Sequence, residues 1–91
     1  MILEHTKEFD KSVRKITDIV ALKRLDKLLD ELEKAQNLGE ISNVLPLVNH
    51  TNLYRIKRGD FRLIVKYQNG QITIVLIDYR RRNEKTYIGL N

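Results

Sequence analysis

The sequence contains no cysteine and no long apolar run. Without cysteine, the chain cannot be a disulfide scaffold, use a thiol nucleophile or build a zinc site on thiolates. Its longest apolar runs, 19–22 and 74–77, fall far short of the roughly 20 residues that a membrane-spanning helix needs. Residues 1–5 lack the basic and apolar segments of a secretory signal. We therefore expect a cytoplasmic protein that makes no contact with membranes.

Patterns typical of several other chemistries are also missing. His5 and His50 lie far apart and fit no metal-ligand spacing, and no spaced carboxylate pair indicates glycosidase or two-metal chemistry. The chain has no Gly-rich phosphate loop or dinucleotide fingerprint. Neither Ser12 nor Ser42 lies in a nucleophile elbow. We therefore expect neither a metal nor a cofactor.

The length and composition favour one globular domain. The chain has 91 residues, of which 42% are hydrophobic, and this proportion argues against disorder. No repeat, linker or low-complexity segment divides the sequence. We expect residues 1–91 to form a single domain.

The positive charge is concentrated in the second half of the chain. Residues 1–45 contain 8 basic and 9 acidic side chains, whereas residues 46–91 contain 9 basic and 3 acidic ones. The net charges of the halves are therefore −1 and +6, which sum to the overall +5. Such an uneven excess indicates either a polyanionic partner, most simply nucleic acid, or a solubilising surface.

Two helices are predicted in the first half. Thr6 can cap the first helix, because its hydroxyl can accept a backbone N–H two or three residues further on. The apolar residues that follow at helical spacing are Phe9, Val13, Ile16 and Val20. The stripe then changes phase, which indicates a break near Thr17–Asp18 and a second helix capped by Asp18. This helix should end near Asn37–Gly39, where Gly39 suits a left-handed position.

Strands are predicted after Pro46, where the apolar period changes to two. The predicted strands cover residues 53–58, 61–67 and 71–77, which are rich in Ile, Val, Leu and Tyr. A tight turn at 58–60 joins the first two strands. Asn69-Gly70 predicts a type I′ hairpin turn between the second and the third, since that turn needs a positive φ at both positions.

These elements predict an α+β fold of order β-α-α-β-β-β. Residues 2–5 form a first or edge strand, and the two-helix hairpin packs on one face of an antiparallel sheet. Because side chains alternate along a strand, one face is expected to meet the helices, with Phe61, Leu63, Val65 and Tyr67. The opposite face is expected to gather Arg55, Lys57, Arg62 and Lys66. Like charges repel on a sheet, so this cluster indicates a bound anion, or else simply polar side chains on a face without helices.

A run of three arginines follows the last predicted strand. Arg80, Arg81 and Arg82 cannot all point the same way, so at least one is expected to return over the basic face. Arginine has a planar fork that matches phosphate, and it stays charged at any working pH. Tyr87 could stack on a base, titrate beside the neighbouring cations, or be an ordinary core aromatic.

The chain resembles the RelE/ParE superfamily of bacterial and archaeal toxins, in particular its RelE-like branch. The resemblance lies in residues 54–65, which read Tyr-Arg-Ile-Lys-Arg-Gly-Asp-Phe-Arg-Leu-Ile-Val, in the Asn-Gly turn, and in the arginine run before Tyr87. The length and the two leading helices agree as well. The resemblance implies the toxin of a type II toxin-antitoxin system. RelE-type members are endoribonucleases that cut mRNA in the ribosomal A site and are held inactive by an antitoxin.

The resemblance also implies the site residues. Lys57 matches a strand lysine of the RelE active site, and Arg62 matches the arginine of the next strand. Arg81 matches the arginine after the last strand, and Tyr87 matches the C-terminal tyrosine six residues further on. The residues expected to bind RNA around this catalytic set are Arg55, Lys66, Arg80 and Arg82. Arg55 falls where RelE has a lysine, which matters because arginine is a poor proton acceptor.

The expected reaction is metal-independent attack of a ribose 2′-OH on the adjacent phosphate, leaving a 2′,3′-cyclic phosphate. The implied partners are a cognate antitoxin, the ribosome and mRNA, with the toxin either monomeric or in a toxin-antitoxin hetero-oligomer. Two alternatives remain open. ParE-type members share the fold but poison DNA gyrase, and a third possibility is a catalytically inactive homologue that only binds an antitoxin.

Overall fold

Two helices cover one face of a five-stranded sheet in this computed structural model, which describes residues 1–82. A 3₁₀ turn at Leu38–Glu40 separates the second helix from the second strand. The elements in chain order are β1 (Ile2–His5), α1 (Lys7–Arg14), α2 (Ile19–Lys34), β2 (Val44–Pro46), β3 (Leu53–Arg58), β4 (Phe61–Lys66) and β5 (Thr73–Arg81). The predicted α+β class, with a helix pair between the first strand and the later ones, is confirmed.

The strand order is β1-β5-β4-β3-β2. The strands β2 to β5 form an antiparallel meander, of which β3, β4 and β5 were predicted, but β1 pairs with β5 in parallel. The prediction of a wholly antiparallel sheet was therefore wrong at this edge. The reason is long-range: β1 meets its partner only after the helices and three further strands have carried the chain back across the sheet, and parallel neighbours need such a crossover. The short edge strand β2 was not predicted.

Both helices begin at the predicted caps. The Thr6 hydroxyl accepts a hydrogen bond from the Phe9 N–H (3.0 Å), and an Asp18 carboxylate oxygen accepts one from the Ala21 N–H (3.1 Å). The predicted end of α2 was wrong, because the extended backbone of Ala35 (φ −74°, ψ 150°) already ends the helix. Gly39 lies in the 3₁₀ turn and not in a left-handed position.

The connection between β4 and β5 also differs from its prediction. Gly70 has a φ of 90°, but Asn69 is not in the left-handed region. The Gln71 N–H donates to the Gln68 carbonyl (3.0 Å), so the four residues form a turn with a positive φ only at its third position. That pattern is a type II turn and not a type I′ turn. Six residues, 67–72, join the strands in place of a two-residue hairpin.

The main core lies between the helices and the sheet. The predicted β4 face is buried there, with Phe61, Leu63, Val65 and Tyr67 each no more than 5% exposed. Tyr79 of β5 joins them: its hydroxyl donates to the Ala21 carbonyl of α2 (2.8 Å), and its ring stacks on Phe61 at 5.0 Å. These contacts hold the end of β5 against the start of α2.

A β-bulge interrupts the pairing of β4 with β5. Val65 is opposite Leu76, but Ile64 is opposite Asp78, so Ile77 is an extra residue in β5. Both Leu76 and Tyr79 point into the main core although they are three positions apart, whereas simple alternation would place them on opposite faces. The bulge therefore shifts the facing of every residue from Asp78 to the end of β5.

In residues 1–82, no helix has the length and apolar character that crossing a membrane requires.

Thr6 connects three parts of the fold, and its loss should be costly. Besides capping α1, its hydroxyl donates to the Leu76 carbonyl of β5 (2.8 Å). We expect Thr6→Ala to lower the free energy of unfolding by about 2 kcal/mol, the sum of a lost cap and a lost hydrogen bond. Thr51 is exposed in a turn, so the matched change Thr51→Ala should cost no more than about 0.5 kcal/mol. Urea unfolding measures the stability of both variants. Equal losses of stability would contradict the connecting role of Thr6.

Candidate nucleic-acid interface

Three basic side chains form a row across adjacent strands on the face that the helices leave open. Lys57 of β3 is directly opposite Arg62 of β4, and Arg62 is directly opposite Arg80 of β5. Directly opposite residues have Cβ atoms roughly 4.5–5.5 Å apart. We call Lys57, Arg62 and Arg80 the cationic row. Its spacing gives three positive charges within the width of three strands.

The row has an electrostatic cost that a bound anion would remove. Like charges directly opposite each other on a sheet destabilise the pairing. In the strands β3, β4 and β5, Asp78 is the only acidic residue, so the strands offer little internal compensation. A phosphate placed over the row would interact with several cations at once. The arrangement is therefore suited to a phosphodiester backbone.

Two other predicted residues lie on this face, at increasing distance from the cationic row. Arg55 is two residues from Lys57 along β3, which is roughly 7 Å, and it lies opposite Ile64. Lys66 is four residues from Arg62, roughly 13 Å along β4, between Leu53 and Val75. The predicted basic face therefore exists, but Lys66 lies at its far end.

A group of apolar side chains divides the open face into two parts. Ile64 and Ile77 form a small cluster that is separate from the main core. Leu47, Leu53 and Val75 pack against it. The open face is thus basic towards the β3–β4 turn and, apart from Lys66, apolar towards the opposite end.

The side chains of the arginine run point to different sides of the sheet at the end of β5. Arg80 and Arg81 belong to the strand, whereas the sequence pattern had ended the strand at residue 77. Arg80 lies on the open face, but Arg81 lies on the helix face, with its guanidinium over the Phe61 ring (5.3 Å) and near the Asp18 carboxylate (3.6 Å). Arg82 follows the strand and is exposed, and its backbone N–H donates to the Asp60 carbonyl (2.8 Å).

The structure therefore brings together only part of the predicted catalytic set. Lys57 and Arg62 are neighbours in the cationic row, whereas Arg81 lies on the other side of the sheet. Arg80 occupies the third position of the row. Tyr87 lies outside the described residues.

Asp78 is a residue of this site that sequence reasoning did not single out. It is 2% exposed, and the Arg80 Nε lies 3.1 Å from its Oδ1 and 3.0 Å from its Oδ2. The signal was its spacing: residues 78 and 80 share a face if the last strand continues to 81. That continuation was missed because charged residues there resemble a loop.

The turn beside the row is attached to α2. Gly59 has a φ of 60°, and the Arg24 guanidinium occupies the space that a side chain there would need. Arg58 forms an ion pair with Glu31 (3.3 Å) and donates to the Ser42 carbonyl (3.0 Å). These contacts keep the row at a defined position relative to the helices.

In the part of the chain that the structure describes, no three His, Cys, Asp or Glu residues are grouped so that they could hold a metal ion.

Residues 3–84 match the family described as the ParE toxin of the type II toxin-antitoxin system parDE. The chain belongs to this family of toxins. A search of curated proteins gave no match. The match covers nearly the whole chain, and it confirms the resemblance to the RelE/ParE superfamily.

Solved structures with a similar fold include RelE toxins in complexes with their antitoxins. The RelB-RelE complex from Methanococcus jannaschii is 19% identical with a TM-score of 0.74, covering 87% of this chain and 89% of that one. The RelE-RelB complex from Pyrococcus horikoshii OT3 is 21% identical with a TM-score of 0.69, covering 92% and 97%. The RelBE complex of E. coli is 20% identical with a TM-score of 0.67, covering 91% and 98%. At these identities, the likeness shows a shared fold.

Tyr79 should make the stability of this toxin depend on alkaline pH. Burial raises the pKa of Tyr79 to about 12 from its usual 10.0. A raised pKa in the folded state means that stability is complete below pH 10 and is lost as the pH rises towards 12, because the unfolded chain deprotonates first. We expect Tyr79→Phe, which loses one hydrogen bond, to be less stable by about 1 kcal/mol at pH 7.

That difference should vanish at about pH 11, since each pH unit between the two pKa values costs the wild type about 1.4 kcal/mol. Urea unfolding of both proteins between pH 7 and 11 measures it. A difference that stays constant up to pH 11 would contradict the raised pKa.

Proposed function

We propose that this toxin is a ribosome-dependent endoribonuclease that cleaves mRNA in the A site and thereby inhibits translation. The observation that carries the proposal is the cationic row, which offers Lys57, Arg62 and Arg80 to one phosphate or to two neighbouring phosphates. The RelE-like sequence pattern supports the same reading. Arginine and lysine at this spacing can bind RNA and stabilise charge that develops during cleavage.

The proposed reaction needs no metal. The ribose 2′-oxygen forms a bond to the adjacent phosphorus, the bond from phosphorus to the 5′-oxygen breaks, and a 2′,3′-cyclic phosphate and a free 5′-OH result. A base takes the proton of the 2′-OH, and an acid gives a proton to the departing 5′-oxygen. Cations stabilise the extra negative charge on the non-bridging oxygens between these steps.

We assign Arg62 and Arg55 to the phosphate oxygens and Lys57 to the role of base or electrostatic partner of the base. The resemblance gives Tyr87 the role of base or stacking platform. It gives Arg81 the role of stabilising or protonating the leaving group. Because Arg81 is near Asp18 on the helix face, that role requires its guanidinium to leave Asp18 and cross the edge of β5, whereas Arg80 already lies in the row.

Cleavage away from the ribosome should be weak. The strands β3 and β4 carry no histidine and no acid, so neither strand offers a side chain that accepts a proton easily near neutral pH. Positioning of the mRNA by the ribosome would accelerate cleavage, because a fixed attack geometry removes much of the entropic barrier.

We also propose that a cognate antitoxin controls the toxin, as RelB accompanies RelE in the similar structures. The open face combines a cationic row with the apolar cluster around Ile64 and Ile77. An amphipathic or extended segment with acidic residues fits both parts and would mask the row.

The matched family favours a second candidate, a ParE-like inhibitor of DNA gyrase without nuclease activity. This candidate gives the row no catalytic task, so it makes a different prediction for single substitutions. A homologue without activity that only binds an antitoxin would arrest neither translation nor growth.

Cleavage should depend on the row and not on charge in general. In cell-free translation followed by primer extension on the message, we expect wild type to give new 5′ ends only when ribosomes are present. Arg62→Ala should lower their rate of appearance about 100- to 1,000-fold, because it removes a charge stabiliser. Lys66→Ala, which removes the same charge from the same face but far from the row, should lower it less than about threefold.

An intact message with normal translation would overturn the nuclease proposal, and inhibition of supercoiling by purified gyrase would then support the ParE-like candidate. Equal losses for Arg62→Ala and Lys66→Ala would mean that the surface acts only through its overall charge.

The same assay distinguishes the two neighbouring arginines. We expect Arg80→Ala to lower the cleavage rate about 100-fold and Arg81→Ala less than about tenfold, because only Arg80 lies in the row. The reverse order would show that Arg81 moves to the open face on the ribosome, as the resemblance to RelE implies. Tyr87→Ala belongs in the same series and should abolish cleavage if Tyr87 is the base.

A further inference from the structure

Asp78 is a buried carboxylate beside a surface that is otherwise basic. Its side chain is 2% exposed, and its cross-strand neighbour is Ile64, which is two residues along β4 from Arg62 of the cationic row. Burying a carboxylate has a large desolvation cost, which a close cation and hydrogen bonds can offset. An apolar residue would fill the same space next to Ile64 and Ile77 at lower cost. A purely structural role therefore does not explain why an acid is present.

The contact of Asp78 with Arg80 supplies the cation. The Arg80 Nε lies within 3.1 Å of both carboxylate oxygens and donates a hydrogen bond to Oδ1. Both residues lie on one strand, two positions apart, so no movement of another element is needed to keep the pair in place. The pair fixes the Arg80 guanidinium through its Nε end.

The bulge at Ile77 creates this arrangement. Without the extra residue, regular pairing from Lys66–Val75 onwards would place Asp78 opposite Leu63 in the main core and Arg80 opposite Phe61 on the helix face. With it, Asp78 and Arg80 lie on the open face. Bulges next to functional sites commonly re-aim side chains in this way.

Arg80 requires an acidic partner because another arginine lies beside it. Arg62 is directly opposite it, and like charges on directly opposite residues destabilise the pairing of two strands. A carboxylate on the inner side of Arg80 opposes this repulsion and keeps the guanidinium over the sheet. The pair with Asp78 therefore helps to keep the third cation of the row beside the other two.

We propose that Asp78 is a positioning residue that holds Arg80 in the cationic row, where Arg80 binds the RNA phosphate. This inference rests on the proposed nuclease function for its effect on rate. The contact itself is testable without that function. Asp78 does not touch the RNA in this proposal, because its carboxylate is buried.

The first test measures the contact by NMR. We expect the Arg80 Nε–H of wild type to exchange with water at least tenfold more slowly than that of exposed Arg82. Asp78→Asn keeps the shape but replaces the charged acceptor with a weaker neutral one, so it should reduce this protection severalfold. Glu31→Gln is the matched control, because it removes the acid of the Arg58 pair on the helix side. It should leave the Arg80 signal unchanged.

The second test is a double-mutant cycle on the cleavage rate in the ribosome assay. Asp78→Asn should lower the rate about 10- to 100-fold, as misplacement of one charge by about 1 Å can. In an Arg80→Ala background, the same change should have less than a twofold effect, because Asp78 acts through Arg80. A loss of folding alone would lower the rate by the same factor in both backgrounds.

The outcomes separate the two proposals. An Arg80 Nε–H that exchanges as fast as that of Arg82 in wild type overturns the positioning role, even if Asp78→Asn does not fold. Equal effects of Asp78→Asn in both backgrounds also overturn it. If wild type cleaves no RNA on ribosomes, the nuclease proposal fails, and the exchange measurement still decides whether Asp78 holds Arg80.

Discussion

The anchoring of Tyr79 in the core determines how the charged end of β5 is arranged. Its ring packs on Phe61, its hydroxyl donates to α2, and its backbone N–H donates to the buried Ser12 hydroxyl (3.1 Å). Once this side chain is held in the core, its neighbours Asp78 and Arg80 must point to the open face, because side chains alternate along a strand. The bulge at Ile77 makes this compatible with the burial of Leu76.

With Tyr79 anchored in this way, the charged side chains are arranged differently on the two faces of the sheet. On the helix face, basic side chains are paired: Arg58 with Glu31 and Arg81 with Asp18. On the open face, Arg80 of the row is paired with Asp78, which is the only acid in β3, β4 and β5. The surplus of positive charge is therefore presented where no helix covers the sheet, which is where an extended polyanion can approach.

The fold alone does not decide between the activities of this toxin family. RelE structures share it with this chain at 19–21% identity, and folds commonly carry several functions on different surface residues. What favours a nuclease is local: a row of basic side chains with the spacing of cross-strand neighbours. The proposed alternative, a ParE-like gyrase inhibitor, shares its name with the matched family. The two differ in whether the row performs chemistry or only binds.

Local structure could be predicted from the sequence by itself. The caps at Thr6 and Asp18, the strand at 53–58 and the buried face of β4 each depend on residues that are close together in the chain. Hydroxyls and carboxylates cap helices through neighbouring N–H groups, and alternation is a property of a single strand. For the same reason, Lys57 and Arg62 could be placed on one face, since a tight turn joins their strands.

Only the tertiary structure decided which arginine joins them. A single extra residue in β5 reverses the facing of everything after it, and nothing in the local pattern marks where that residue lies. Its position follows from fitting both Leu76 and Tyr79 into a core formed by helices more than 40 residues earlier in the chain. The parallel pairing of β1 with β5 depends likewise on distant segments. The sequence by itself thus determined the helices, the strands of the hairpin and the basic character of the open face, whereas long-range packing set the register that places Arg80, and not Arg81, beside Arg62.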